Sequence, residues 1–199
     1  MSSEKKVRTQ KRIIKIESVI SKRQTSLRLI LENIHDPHNV SAIMRTCDAV
    51  GVDTVSLLYY IEKFPKIGKK SSSSAWKWVN REKFTSVDNC FEVLKREGFR
   101  IYSSWIGEGA VDFYDLDLTG KVALVVGNEH RGISEEVVKK SDKLFYIPMV
   151  GMVQSLNVSV ATAIILYEAM RQRLGKGMYD TSMITKEELD ERIATWLKK

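Results

Sequence analysis

VALVVGNEHRGIS, residues 122–134, begins with five apolar residues in succession and closes that run with Gly127. A strand wet on one face would alternate in polarity, whereas an unbroken run marks a central strand of a parallel sheet, covered by helices on both sides. Ser134, followed by Glu135 and Glu136, suits the start of a short helix through about residue 140. The stretch therefore reads as strand, glycine turn, helix. Turns beyond the carboxyl ends of parallel strands are where such sheets bind ligands, and a glycine there permits close backbone approach.

The same alternation extends in both directions. Upstream, residues 27–31 form a strand, and Pro37 and Asn39 precede a helix that Asn39 can cap and Gly51 can stop; residues 52–60 form the next strand. A helix over 86–97 carries Val87, Cys90, Phe91 and Leu94 on one side, and a strand over 99–103 follows Gly98. Downstream come a strand at 144–147, ended by Pro148, and a long helix from Asn157 to about residue 173. Repeated strand and helix predicts an open, mostly parallel α/β sheet with helices on both faces. A leader helix over 5–25 aligns Ile13, Ile16 and Ile20, and near the C-terminus Thr185 and Glu188 form a capping box before a stripe of Leu189, Ile193, Trp196 and Leu197. Trp196 must be buried on the body or across a dimer. Three units follow: a basic helical extension at 1–26, an α/β domain at 27–174 and a helical extension at 175–199.

The 199 residues can bury about 70% of the unfolded surface, and 43% hydrophobic with 29% charged residues excludes a disordered chain. Two cysteines, Cys47 and Cys90, are too few for a disulfide scaffold and lack zinc spacing. With neither a secretory leader nor an apolar run near the ~18 residues of a membrane span, a cytoplasmic protein without a membrane partner is expected. Residues 1–30 hold nine Lys or Arg against Glu4 and Glu17, which accounts for the whole net charge of +7. A second basic zone comprises Lys63, Lys66, Lys69, Lys70, Lys77, Arg81 and Lys83. Two basic zones on a neutral body fit a phosphate backbone, or a solvated arm and loop. Trp76 and Trp78, just after the serines at 71–74, imply that something folds over that loop.

No GxxxxGK[ST], no helix-opening GxGxxG and no HExxH occurs, and His35 and His38 flank Pro37 with no third ligand nearby, so no metal site is expected. A second candidate turn is PMVGMVQSLN, residues 148–157, whose apolar side chains and free backbone groups could hold a flat base and a thioether, with Ser155 and Asn157 as polar handles. Met149 and Met152 serve equally as core filler.

Three ordered segments together resemble a known family: NVSAIMRTCDAVGV at 39–52, LVVGNEHRGIS at 124–134 and IPMVGMVQSLNVSVATAIILYEAMRQR at 147–173, with SSSSAWKWV at 71–79 in support. The chain resembles the SPOUT superfamily of knotted RNA methyltransferases, in its branch acting on a D-loop guanosine of transfer RNA. That resemblance implies a C-terminal deep trefoil knot, a homodimer whose clefts take residues from both subunits, and S-adenosylmethionine as cofactor. It implies Arg45 as the catalytic arginine with Asn39 as partner, and Glu129, Ser155 and Asn157 as further catalytic-site residues. Ser104, Gly127, Ile147, Met149, Ser155 and Leu156 would hold the cofactor. Lys5, Arg8, Lys11, Arg12, Lys15, Lys69 and Lys70 would bind transfer RNA. A helical separation of six residues, about 240°, puts Asn39 and Arg45 on different faces, so Asn39 is expected to act through backbone or cross-subunit contacts. A guanidinium stays protonated, so Arg45 is expected to clamp phosphate and stabilise a nascent alkoxide rather than accept a proton. Methylation of ribosomal RNA or of the wobble nucleotide, and RNA binding without catalysis, are the alternatives.

Overall fold

The structure, a computed structural model, describes residues 10–66 and 75–199. Its centre is a seven-stranded sheet in the order β3-β2-β1-β6-β4-β7-β5, with every pairing parallel. The strands are β1 (Gln24–Glu32), β2 (Val52–Leu58), β3 (Asn80–Phe84), β4 (Arg100–Ser104), β5 (Ala110–Asp112), β6 (Val122–Val126) and β7 (Lys143–Tyr146). As its uniform apolarity required, β6 lies between β1 and β4, and all five of its residues are buried.

The helices are α1 (Gln10–Ile20), α2 (Pro37–Val50), α3 (Ala75–Trp78), α4 (Val87–Arg96), α5 (Glu135–Lys140), α6 (Val158–Gly175) and α7 (Lys186–Trp196). Side chains alternate across the sheet and divide the core in two. Leu27, Leu29, Leu31, Leu124 and Val126 join Ile43, Met44 and Cys47 of α2 and Ile165, Leu166 and Ala169 of α6. On the opposite face Ile30, Ala123 and Val125 meet Cys90, Phe91 and Leu94 of α4 and Val137 of α5. Both cysteines are free and buried.

Several boundaries depart from expectation for identifiable reasons. The leader helix stops at Ile20, because Arg23 turns into the interior, pairs with Asp48 and donates to Val52 O at 3.1 Å, and Gln24 already begins β1. Asp36, not Asn39, caps α2, with Pro37 in the first turn; Gly51, at φ 81°, stops that helix as expected. β2 ends at Leu58 because Asn33 captures the amides beyond it, accepting from Tyr60 N, Ile61 N and Glu62 N at 3.1, 3.1 and 3.2 Å. β3 escaped the sequence reading: NREKF is charged because it forms the sheet's edge.

At the other end of the strands the terminal helices form one unit. Trp196 of α7 packs against Ile16 and Ile20 of α1, its ring 4.9 Å from that of Trp78. Trp196 is thus buried on the body of its own chain. Among the described residues no helix is long and apolar enough to cross a membrane.

Candidate functional site

Loops leaving the carboxyl ends of β4, β6 and β7 converge. A cleft of about 530 Å³ is walled by residues 104–106, by 126–133 and by 155–158 with Ala161, a size usual for a small-molecule site. The turn after β6 is self-supporting. Asn128 N donates to Gly132 O at 2.9 Å and Gly132 N returns a bond to Asn128 O at 2.8 Å. The Asn128 side chain accepts from His130 N at 3.0 Å and Arg131 N at 3.2 Å, and donates to Asn33 O at 2.7 Å. A Cβ on Gly127 would sit 2.2 Å from the Gly132 carbonyl carbon. Glycine is required there by the turn's own backbone, a tighter demand than the ligand approach expected from sequence.

Glu129 turns away from Arg131, which pairs instead with Glu62 at 2.7 Å. Its carboxylate accepts from His35 N at 2.9 Å, Asp36 N at 3.1 Å and Asn39 Nδ2 at 2.9 Å. Burial pushes this carboxyl up, but the bonds from Asn39, His35 and Asp36 outweigh it and hold it below the usual carboxylate range. Asn39 in turn accepts from Asn157 Nδ2 at 3.1 Å, while Asn157 Oδ1 caps α6 by accepting from Ser159 N at 2.8 Å. One chain of bonds therefore links the turn after β6, the start of α2 and the start of α6. The expectation that Asn39 acts through backbone or cross-subunit contacts is corrected: its side chain is buried within its own chain, joining Glu129 to Asn157.

The other expected positions divide. Ser104, Gly127, Ser155, Leu156 and Asn157 line the cleft; Ile147 and Met149 are not among its lining, and Ile147 packs on the core. Arg45 is exposed, seven residues along α2 from exposed His38, and is also not among the residues lining the cleft. Lys11, Arg12 and Lys15 are exposed on α1, whereas Lys5, Arg8, Lys69 and Lys70 lie outside the described residues. Sequence reasoning missed Trp105 and Ile106 on the cleft wall, and above all Asn33. With φ at 52°, Asn33 holds the turn after β2 through its side chain and the turn after β6 through its carbonyl. An asparagine directly after a strand and before a Pro turn was the available signal, since Asn tolerates the left-handed region.

Comparison with known proteins places this geometry. Residues 26–167 match the model of the SpoU rRNA Methylase family. The chain is 44% identical over 192 residues to a Thermus thermophilus protein named tRNA (guanosine(18)-2'-O)-methyltransferase, covering 96% of this chain and 98% of that one. It is 45% identical to an Aquifex aeolicus protein of the same name, over 94% of this chain and 89% of the relative. The crystal structure of an A. aeolicus TrmH/SpoU tRNA modifying enzyme superposes with a TM-score of 0.89 at 42% identity, over 95% of this chain and 96% of the other.

Proposed function

The chain belongs to the SpoU rRNA methylase family, and on that premise we propose that it transfers a methyl group from S-adenosylmethionine to the ribose 2'-hydroxyl of a D-loop guanosine in transfer RNA, the nucleotide its relatives' names number 18. The observation that carries this reading is the convergence of three strand-end turns on one cleft, braced by Glu129, Asn39 and Asn157.

The cleft suits the cofactor. Its volume is adequate, Trp105, Ile106 and Leu156 offer apolar contact, and Ser104, Ser155 and the backbone at 127–133 offer polar contact. Bound there, S-adenosylmethionine supplies an electrophilic sulfonium methyl. The chain's own residues do the rest. Asn157 and Glu129 keep the α2 and α6 starts in register around the cleft, and Arg45 holds a substrate phosphate and stabilises charge developing on the ribose oxygen.

Since Arg45 lies off the cleft of its own chain, this role falls to Arg45 of the partner subunit in a homodimer. Exposed apolar residues support pairing: Val150, Met152 and Val153 in the loop after β7, and Val160, Tyr167 and Leu174 seven residues apart on one face of α6. The same reading takes residues 27–174 as the catalytic unit with a C-terminal trefoil knot, residues 1–26 and 175–199 as extensions that meet the RNA outside the cleft, and the cytoplasm as the place of action.

The test is methyl transfer by the full chain to unmodified transfer RNA transcript, with the product mapped by nuclease digestion and mass spectrometry. One 2'-O-methylguanosine in the D-loop is expected. Methylation at the wobble nucleotide, methylation of ribosomal RNA alone, or cofactor binding without transfer to any RNA would refute the assignment.

A further inference from the structure

At the amino ends of β1, β2 and β3, the opposite end of the sheet from the cleft, a second cavity of about 360 Å³ opens between α1 and α7. Arg12 and Lys15 of α1, Trp78, Trp196 and Asp48 are among its lining. Asp48 contributes little negative field, because Arg23 is buried against it and also lies 5.4 Å from the Trp196 ring centre. Among the described residues the Arg23 Nε has no hydrogen-bond partner. Lys199 Nζ sits 5.8 Å from the Trp78 ring centre and 5.3 Å from that of Trp196, and Arg81 stacks at 3.9 Å on Trp76. Lys199 Nζ donates to Lys77 O at 2.6 Å, and burial, then the like charges of Arg81 and Arg23, push it below the ordinary lysine range.

Cations interleaved with flat rings serve two parts of one ligand. A phosphate answers the cations, and a base or ribose answers the ring faces. A carboxylate-bearing peptide would answer only the first. We propose that the cavity lined by Arg12, Lys15, Trp78 and Trp196 binds one unstacked nucleotide of the RNA substrate, its phosphate on Arg12 and Lys15 and its base or sugar against Trp78. At about 3.3 Å per residue, the nine residues of β1 put roughly 25 Å between this anchor and the strand ends that carry the cleft. The site is therefore a remote hold on the RNA rather than part of the reacting centre. This inference rests on the RNA reading above, which it deepens.

The test titrates fluorescein-labelled unmodified transfer RNA transcript, and separately a single-stranded RNA 12-mer, against the full chain by anisotropy over a range of salt. Arg12→Gln with Lys15→Gln, both on the exposed surface of α1, is expected to flatten the plot of log affinity against log salt by about 0.7 for the one phosphate no longer neutralised. Trp78→Leu is expected to weaken binding of the 12-mer by about fivefold or more, and Trp78→Phe to restore most of it. Circular dichroism checks folding, and the glutamine pair and the phenylalanine variant keep the test decisive should the leucine variant unfold. Unchanged affinity and salt slope in the glutamine pair would overturn the proposal. So would polyglutamate competing with the 12-mer as strongly as an RNA of equal charge. If methyl transfer to transfer RNA fails while these losses appear, the functional reading is wrong and the nucleotide pocket stands; normal transfer with no losses gives the reverse.

Discussion

Replacing Glu129 by Gln removes a charge and almost no volume, so its effect isolates the bond system that braces the cleft. Glu129 Oε1 accepts from Asp36 N and Asn39 Nδ2, and Oε2 accepts from His35 N. A glutamine oxygen can keep the first two bonds, but its amide nitrogen then faces the His35 N–H, donor against donor. One charge-assisted bond, worth about 1.5–3 kcal/mol, is lost and two weaken to neutral strength. Since the side chain is only partly buried, water repays part of this, and a net loss of about 1–2 kcal/mol is expected at pH 7. For a domain of this size that is a fall of roughly 2–8 °C in melting temperature. The pH dependence carries a sign. The folded carboxyl is held below its unfolded value, so its contribution is complete above that value and vanishes as pH falls through the folded pKa. Urea unfolding of both forms from pH 7 down to pH 3 should show a constant gap that closes below about pH 4. Calorimetry of S-adenosylmethionine at pH 7 should show weaker binding by the variant. Equal stability at pH 7, or a gap that persists undiminished at pH 3, would refute the view that the carboxylate charge is what braces the turn.

Three further perturbations follow from the geometry. Gly127→Ala places a Cβ 2.2 Å from the Gly132 carbon, so the turn must retreat by close to 1 Å or break its paired bonds; we expect a loss of about 2–4 kcal/mol in urea unfolding and loss of cofactor binding, and wild-type values in both would contradict the turn as described. Asn33→Gly keeps the positive φ but removes the acceptor for three amides, whereas Asn33→Ala adds backbone strain; both should unfold at lower urea, alanine before glycine, and the opposite order would show that the conformation at φ 52° is not the costly element. Met152→Asp with Leu174→Asp places charges in the exposed apolar face and should give a monomer in sedimentation velocity where the parent chain is a dimer; a dimer undisturbed by both would remove the basis for reading that face as an interface.

How much of this was legible in advance varied with the kind of information involved. The β6 run, the Gly51 stop, the Ser134 cap of α5 and the Thr185 cap of α7 were readable because each is a local signal whose cause lies within a few residues. β3 was not, because an edge strand has no need of a second apolar face, and its charged sequence NREKF resembles a solvated turn. The α2 cap was misplaced by three residues for a related reason: Asp36 and Asn39 are both competent caps, and what frees Asn39 from capping is Glu129, ninety residues further on.

That last case explains why the candidate site was legible as a set of residues but not as a mechanism of assembly. Considered along α2 alone, Asn39 and Arg45 point in different directions, and helix geometry by itself leaves Asn39 only its backbone or a second chain to work through. Once folded, the two directions have separate uses. The inward one ties Asn39 to Glu129 and Asn157, so the starts of α2 and α6 and the turn after β6 move as one body around the cleft. The outward one leaves Arg45 on the surface, outside the lining of its own chain's cleft. If the chain pairs as proposed, a single helix braces one cleft with its first turn and offers a cation to the other with its third. In that arrangement dimerisation is a condition of catalysis: truncating Asn39 should loosen the cleft of the chain that carries the change, whereas truncating Arg45 should impair only the cleft of its neighbour. Mixed dimers of Asn39→Ala and Arg45→Ala chains separate these possibilities. If Arg45 acts across the pair, both lesions fall on one cleft and the other is intact, so about half the activity per dimer is recovered; if it acts within its own chain, each cleft carries one lesion and no activity returns.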